Sequence, residues 1–196
     1  MSLSHRNSIP AVFLDRDGTI NEERGHIKSP EDLALLSGAG AAIRNLNESQ
    51  YLTVVVTNQS VIARGKCTEA GMEAIHRRLQ SLIGEDGASI DRIYYCPHYP
   101  DQRIPGGRQD LKIVCDCRKP EPGLITRAAK DMNIDLNLSW MVGDTTSDIE
   151  AASRAGIRSI LLSKQGGFDN QWSVRPDAEC LDLEAAVKLI LNYPIN

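Results

Sequence analysis

Two aspartates stand two residues apart in Asp15-Arg16-Asp17-Gly18-Thr19, directly after the apolar run Ala11-Val12-Phe13-Leu14. One carboxylate of such a pair can attack phosphorus as a nucleophile; the other can protonate the leaving oxygen and then activate water. In this reading Asp15 is the nucleophile, Asp17 is the acid/base and Gly18 permits the sharp turn. A turn-capping pair is the plainer alternative. Thr57-Asn58-Gln59-Ser60 closes a second apolar run. A hydroxyl and backbone amides there can hold a phosphoryl oxygen, although an Asx turn has the same composition. Arg118-Lys119-Pro120 offers cations for a transferring phosphoryl group, or else a solvated surface pair. Asp144 and Asp148 lie in Gly143-Asp144-Thr145-Thr146-Ser147-Asp148. At that spacing they can share a helix face, and oxygen ligands near Asp15 suit Mg²⁺. The helix dipole, which favours acids in a first turn, accounts for part of Asp148.

A second cluster is built from sulfur and imidazole. Cys96-Pro97-His98 and Cys115-Asp116-Cys117 bracket a stretch rich in Pro, Gly and charge, with no periodicity. Three thiolates and one imidazole suit tetrahedral Zn²⁺ in a closed structural site, the alternative being reduced buried cysteines. Zinc here would pin the 97–114 loop and fix Arg118 and Lys119, which follow the last ligand. Cys67 and Cys180 are read as non-ligands.

These residues need elements to hold them. Apolar runs at 11–14, 52–56, 90–95, 139–142 and 158–162 read as buried strands. Helical patterns cover 39–49, 68–83, 122–132, 147–155 and 183–191. Thr68 serves as an N-cap, and Gly84 and Gly156 act as stops. Alternating strands and helices predict an α/β fold, a parallel sheet with helices on both faces. Ligands of such sheets bind beyond the carboxyl ends of the strands, where Asp15, Thr57 and Asp144 fall. Between Asp17 and Thr57 there is room for a short loop and one helix, so no large cap domain is expected.

The 196 residues predict one domain, 1–196, with 96–117 as a metal-binding loop insertion. Hydrophobic residues make up 41% and charged residues 24%, which excludes disorder, collagen and coiled coil. A net charge of −4 and 5% aromatic residues argue against a nucleic-acid or membrane-surface binder. No run approaches the length of a membrane span, and residues 1–6 lack the apolar core of a signal peptide. We expect a cytoplasmic monomer.

The four motifs, in this order, resemble the haloacid dehalogenase (HAD) superfamily of phosphatases, over residues 11–165. The resemblance implies a Rossmann-like HAD fold and an aspartyl-phosphate on Asp15, with Asp17 as acid/base. It places Thr57 and Asn58 on the phosphate and Lys119 on its charge. It implies obligatory Mg²⁺, held by Asp15, Asp144 and the backbone carbonyl of Asp17, with Asp148 supporting the site rather than binding directly. Thr57-Asn58-Gln59-Ser60, Ile62-Ala63-Arg64-Gly65-Lys66, Tyr94-Tyr95-Cys96-Pro97-His98 and Cys115-Asp116-Cys117-Arg118-Lys119-Pro120 look like the D-glycero-D-manno-heptose 1,7-bisphosphate phosphatases within it. Those enzymes remove the 7-phosphate in the synthesis of activated heptose for lipopolysaccharide and other surface glycans. Histidinol-phosphate phosphatases carry a similar zinc loop and are the alternative; a zinc-stabilised binding module that has lost catalysis is the non-enzyme one. The resemblance implies substrate contacts at Glu23 to His26, at Thr57, Asn58, Gln59 and Ser60, and at Arg118 and Lys119. Arg64 could reach a second phosphate or stay on the surface. Three positions depart from the pattern: Val61 replaces a glycine, Thr145 a lysine, and His26 an aromatic residue.

Overall fold

The computed structural model describes residues 8–103, 105–163 and 171–194. Residues 1–6, read above for targeting, lie outside them. The strands are β1 (Ala11–Leu14), β2 (Leu52–Asn58), β3 (Arg92–Cys96), β4 (Trp140–Gly143), β5 (Arg158–Leu162) and β6 (Ala178–Cys180). They form one sheet in the order β3-β2-β1-β4-β5-β6, every pairing parallel. The helices are α1 (Ala39–Asn47), α2 (Glu69–Glu85), α3 (Gly123–Met132), α4 (Thr146–Ala155) and α5 (Leu183–Leu191).

Successive strand residues point to opposite faces, and both faces are apolar. Val12, Leu14, Val55, Val142 and Ile160 pack under α1, α2 and α5. Ala11, Phe13, Val54, Val56 and Met141 pack under α3 and α4. This explains strands that are apolar throughout rather than alternating, and it gives the expected three-layer α/β architecture. Among the described residues no additional domain caps the strand ends.

Several boundaries move by one to three residues. The third strand starts at Arg92 rather than at 90, and Gly143 joins β4. Gly84 does not stop α2; the chain leaves the helix after Glu85, and Gly87 takes the left-handed conformation (φ +72°). Thr68 does cap α2, its side chain accepting from the Gly71 N–H, and Gly156 closes α4 with φ +72°. β6 was not anticipated. Its three residues are half-buried or exposed, too short to show a pattern.

Through its described residues, the 97–114 segment holds more structure than its composition suggests. It folds back on the turn after β2, where the Arg108 N–H donates to the Ala63 carbonyl at 2.9 Å. Gly65 and Gly107 meet backbone to backbone there: a Cβ on Gly107 would lie 2.4 Å from the Ala63 oxygen. No helix among the described residues is long and apolar enough to cross a membrane.

Candidate active site

The chain leaves β1 at Asp15, β2 at Asn58 and β4 at Gly143, all at the same edge of a parallel sheet. Asp15, Asp17, Glu23, His26, Thr57, Asn58, Gln59, Ser60, Lys119, Asp144 and Asp148 all line one open cleft. The remaining substrate-contact candidates, Arg64 and Arg118, do not line it. Both lie over the Tyr99 ring, with guanidinium carbons 4.2 and 5.1 Å from its centroid. Arg118 also donates to the His98 carbonyl at 3.2 Å.

Lys119 is buried. Its ammonium lies 2.8 Å from Asp15 Oδ1 and 2.5 Å from Asp148 Oδ1, and it donates to the Val56 carbonyl at 2.8 Å. Burial alone would lower its pKa, but the two carboxylates more than reverse this and hold it charged. Asn58 fixes the Lys119 backbone from both sides. Its Nδ2 donates to the Lys119 carbonyl and its Oδ1 accepts from the Lys119 N–H, each at 3.0 Å.

Asp15, Asp144 and Asp148 bring carboxylate oxygens within 4.8 Å of one another. Three carboxylates face one ammonium, so the buried cluster holds an excess of negative charge. Asp15 registers it: burial first, then repulsion from Asp148 and Asp144, lift its pKa to about 7 despite Lys119. A hard divalent cation with oxygen ligands fits this imbalance. Asp148 has both oxygens engaged. Oδ1 faces Lys119, and Oδ2 accepts from the Thr145 N–H at 3.1 Å and the Thr145 hydroxyl at 2.7 Å. Thr145, at the departure from lysine, is thus the N-cap of α4.

Asp17 is tied differently. Arg16 donates to both of its oxygens from Nη2, each at 2.8 Å. Asn21 Nδ2 and Gln59 Nε2 also donate to it, each at 2.9 Å. Burial pushes the Asp17 pKa upward, but Arg16 and these hydrogen bonds outweigh it and hold the carboxyl below its ordinary range. Gln59, expected on the substrate, therefore spends its amide on Asp17 and on Thr57 Oγ1 at 2.9 Å. Val61 is buried in the core beneath this turn, and His26 is half-buried at the cleft wall.

The sulfur cluster assembles as well. Cys96, His98, Cys115 and Cys117 offer ligand atoms within 4.8 Å of one another. Sγ–Sγ separations are 3.1, 3.4 and 3.6 Å, and His98 Nδ1 lies 3.2 and 3.6 Å from Cys117 and Cys96. Metal–sulfur bonds of about 2.3 Å give tetrahedral edges of roughly 3.7 Å, so the donor set fits zinc. Hydrogen bonding within the cluster, with Cys96 foremost, draws the Cys117 thiol down to about 5 against burial, while Cys96 is pushed up by its hydrogen bond with Cys117 and by burial, and Cys115 is pushed up by burial.

Sequence reasoning missed Arg16, Asn21 and Tyr99. Arg16 carried a signal, being a charged residue that directly follows a buried strand and lies between two aspartates. Asn21 and Tyr99 carried none.

Residues 116–186 match the HAD-hydrolase-like family model. The chain is 42% identical over 159 residues to a D-glycero-β-D-manno-heptose-1,7-bisphosphate 7-phosphatase of Salmonella typhi, covering 81% of this chain and 82% of that one. It is 40% identical over 172 residues to the protein of that name from Escherichia coli K12, covering 88% and 85%. A crystal structure of D,D-heptose 1,7-bisphosphate phosphatase from B. bronchiseptica, complexed with magnesium and phosphate, superposes with a TM-score of 0.81 at 32% identity, covering 93% and 98%.

Proposed function

The chain belongs to the HAD-like heptose-bisphosphate phosphatase family and is a phosphoric monoester hydrolase; from that premise we propose that it removes the 7-phosphate of D-glycero-β-D-manno-heptose 1,7-bisphosphate. The observation that carries this is the convergence of four distant chain segments on one cleft, on a chain about 40% identical to enzymes of that name.

In this reading Asp15 attacks the 7-phosphorus. The bond from phosphorus to the sugar oxygen breaks, and Asp17 delivers a proton to that oxygen. Arg16 favours the carboxylate of Asp17, but an arriving phosphate dianion raises its proton affinity. Water then attacks the aspartyl-phosphate and gives its proton to Asp17, which frees Asp15 and inorganic phosphate. The Thr57 hydroxyl and the backbone around Asn58 hold the phosphoryl oxygens, and Lys119 balances their charge. Mg²⁺, held by Asp15, Asp144 and the backbone carbonyl of Asp17, would neutralise charge at the transferring group. Asp148 supports Lys119 from behind.

Glu23 and His26 would contact the sugar, as would Ser60. Arg118 and Arg64, stacked on Tyr99 outside the cleft, would meet the second phosphate at the far end of an extended substrate. Zn²⁺ on Cys96, His98, Cys115 and Cys117 would be structural. We place the enzyme in the cytoplasm, where such thiols stay reduced, as a monomer of one domain.

The test is Mg²⁺-dependent phosphate release from both anomers of the heptose bisphosphate and from histidinol phosphate, with Asp15→Asn as control. Preference for the β-anomer, abolished by Asp15→Asn, is the expected result. Preference for histidinol phosphate would overturn the substrate, and full activity in Asp15→Asn would overturn the mechanism.

A further inference from the structure

Arg16 is fully buried, so acceptors inside the protein must meet its charge. Its Nε and Nη2 serve Asp17 and Gln59. Nη1 turns away from the cleft toward α2. There it meets Met72 Sδ at 3.3 Å and His76 Nε2 at 3.4 Å. A thioether is a weak acceptor, so His76 supplies the one nitrogen or oxygen acceptor for Nη1 among the described residues.

The chemistry of the pair fixes its protons. A guanidinium has donors only and keeps its charge, so His76 Nε2 must present its lone pair and the ring proton must sit on Nδ1. Burial, with Arg16 next, lowers the His76 pKa to about 4, which keeps the ring neutral. The ring is itself held edge-on against Tyr95 of β3, with centroids 5.4 Å apart. It borders an outer groove lined by Glu73, Arg77, Gln80, Asp91 and Arg92, away from the substrate.

We propose that His76 is a positioning residue for phosphoryl transfer: as a neutral imidazole accepting from Arg16, it fixes the guanidinium that orients Asp17. The proposal rests on the reading of Asp17 as the acid/base. A small misplacement of a catalytic group costs up to about a hundredfold in rate, and His76 acts at one remove, so the expected loss is smaller.

The experiment compares His76→Phe, which keeps a ring against Tyr95 but removes the acceptor, with His76→Gln, which offers an oxygen. Turnover is measured with Mg²⁺ on the heptose bisphosphate or, should that not be hydrolysed, on p-nitrophenyl phosphate. For His76→Phe, kcat should fall about tenfold with KM within twofold, and His76→Gln should recover most of the loss. In the unmodified enzyme, nitrogen NMR at pH 7 should show His76 protonated at Nδ1 and bare at Nε2. An unchanged kcat in His76→Phe, no recovery in His76→Gln, or a proton on Nε2 each overturns the proposal. The tautomer decides even if His76→Phe does not fold. Asp17→Asn separates the two readings: if it is inactive while His76→Phe is normal, only the positioning role fails. If Asp17→Asn retains full turnover, the acid/base reading fails with it.

Discussion

Asn58 spends both ends of its amide on the backbone of Lys119, which joins the end of β2 to a residue 61 positions later. Removing two hydrogen bonds in Asn58→Ala should cost about 2 kcal/mol in urea denaturation. Because Lys119 then loses its anchor, kcat should fall more than KM rises. His76 makes a different kind of prediction. Its folded pKa of about 4 lies below the unfolded value near 6.5, so the unfolded chain takes up its proton first. The stability tied to the neutral ring is complete above pH 6.5 and drains away as pH falls toward 4, by about 3 kcal/mol. His76→Phe should lack that acid limb when unfolding is compared at pH 7 and pH 4.5. At this scale the sequence reads unevenly. Asp15, Asp17, Thr57, Asp144 and Lys119 were visible because each follows an apolar run or a metal-ligand pair. Gln59 was visible as a polar group at a strand end, but the sequence does not say whether its amide faces a ligand or Asp17. That depends on where Arg16 sits, and only the packing of α2 places Arg16.

Two of the attachments of the 97–114 loop are the sulfur cluster and the Gly65–Gly107 contact, and each should fail separately. Cys115→Ser should lower zinc content and Tm, and speed amide exchange across the loop. Turnover should fall with it, since Arg118 and Lys119 follow the ligands directly. Unchanged zinc content and Tm would refute the zinc assignment. Gly107→Ala keeps the cluster but sets a Cβ 2.4 Å from the Ala63 oxygen at a φ of +72°, which should cost about 2 kcal/mol and loosen the loop with zinc retained. Elements with a core face on both sides, such as β2 and its Val-rich run, were legible from composition alone. β6 was not, since three half-buried residues at the sheet edge carry no periodicity. Nor was the folding-back of the loop, which depends on a glycine-to-glycine approach between segments 42 positions apart.

Across the whole molecule, the surplus negative charge at the sheet's carboxyl edge opposes folding until a cation arrives. Mg²⁺ at a hundred times its Kd should therefore raise Tm by roughly 5–10 °C. Asp144→Asn, which removes one of the charges, should respond much less; an equal response would place the ion elsewhere. The strand order also has a consequence in time. β1 is made first, yet one of its two neighbours is β4, which begins at Trp140. While the ribosome is still delivering the chain, β1 and β2 can pair, but the far side of β1 stays an open, apolar edge until β4 has been synthesised. Open edges invite pairing with other chains. A nascent chain stalled before Trp140 is therefore the form of this protein most in need of a chaperone.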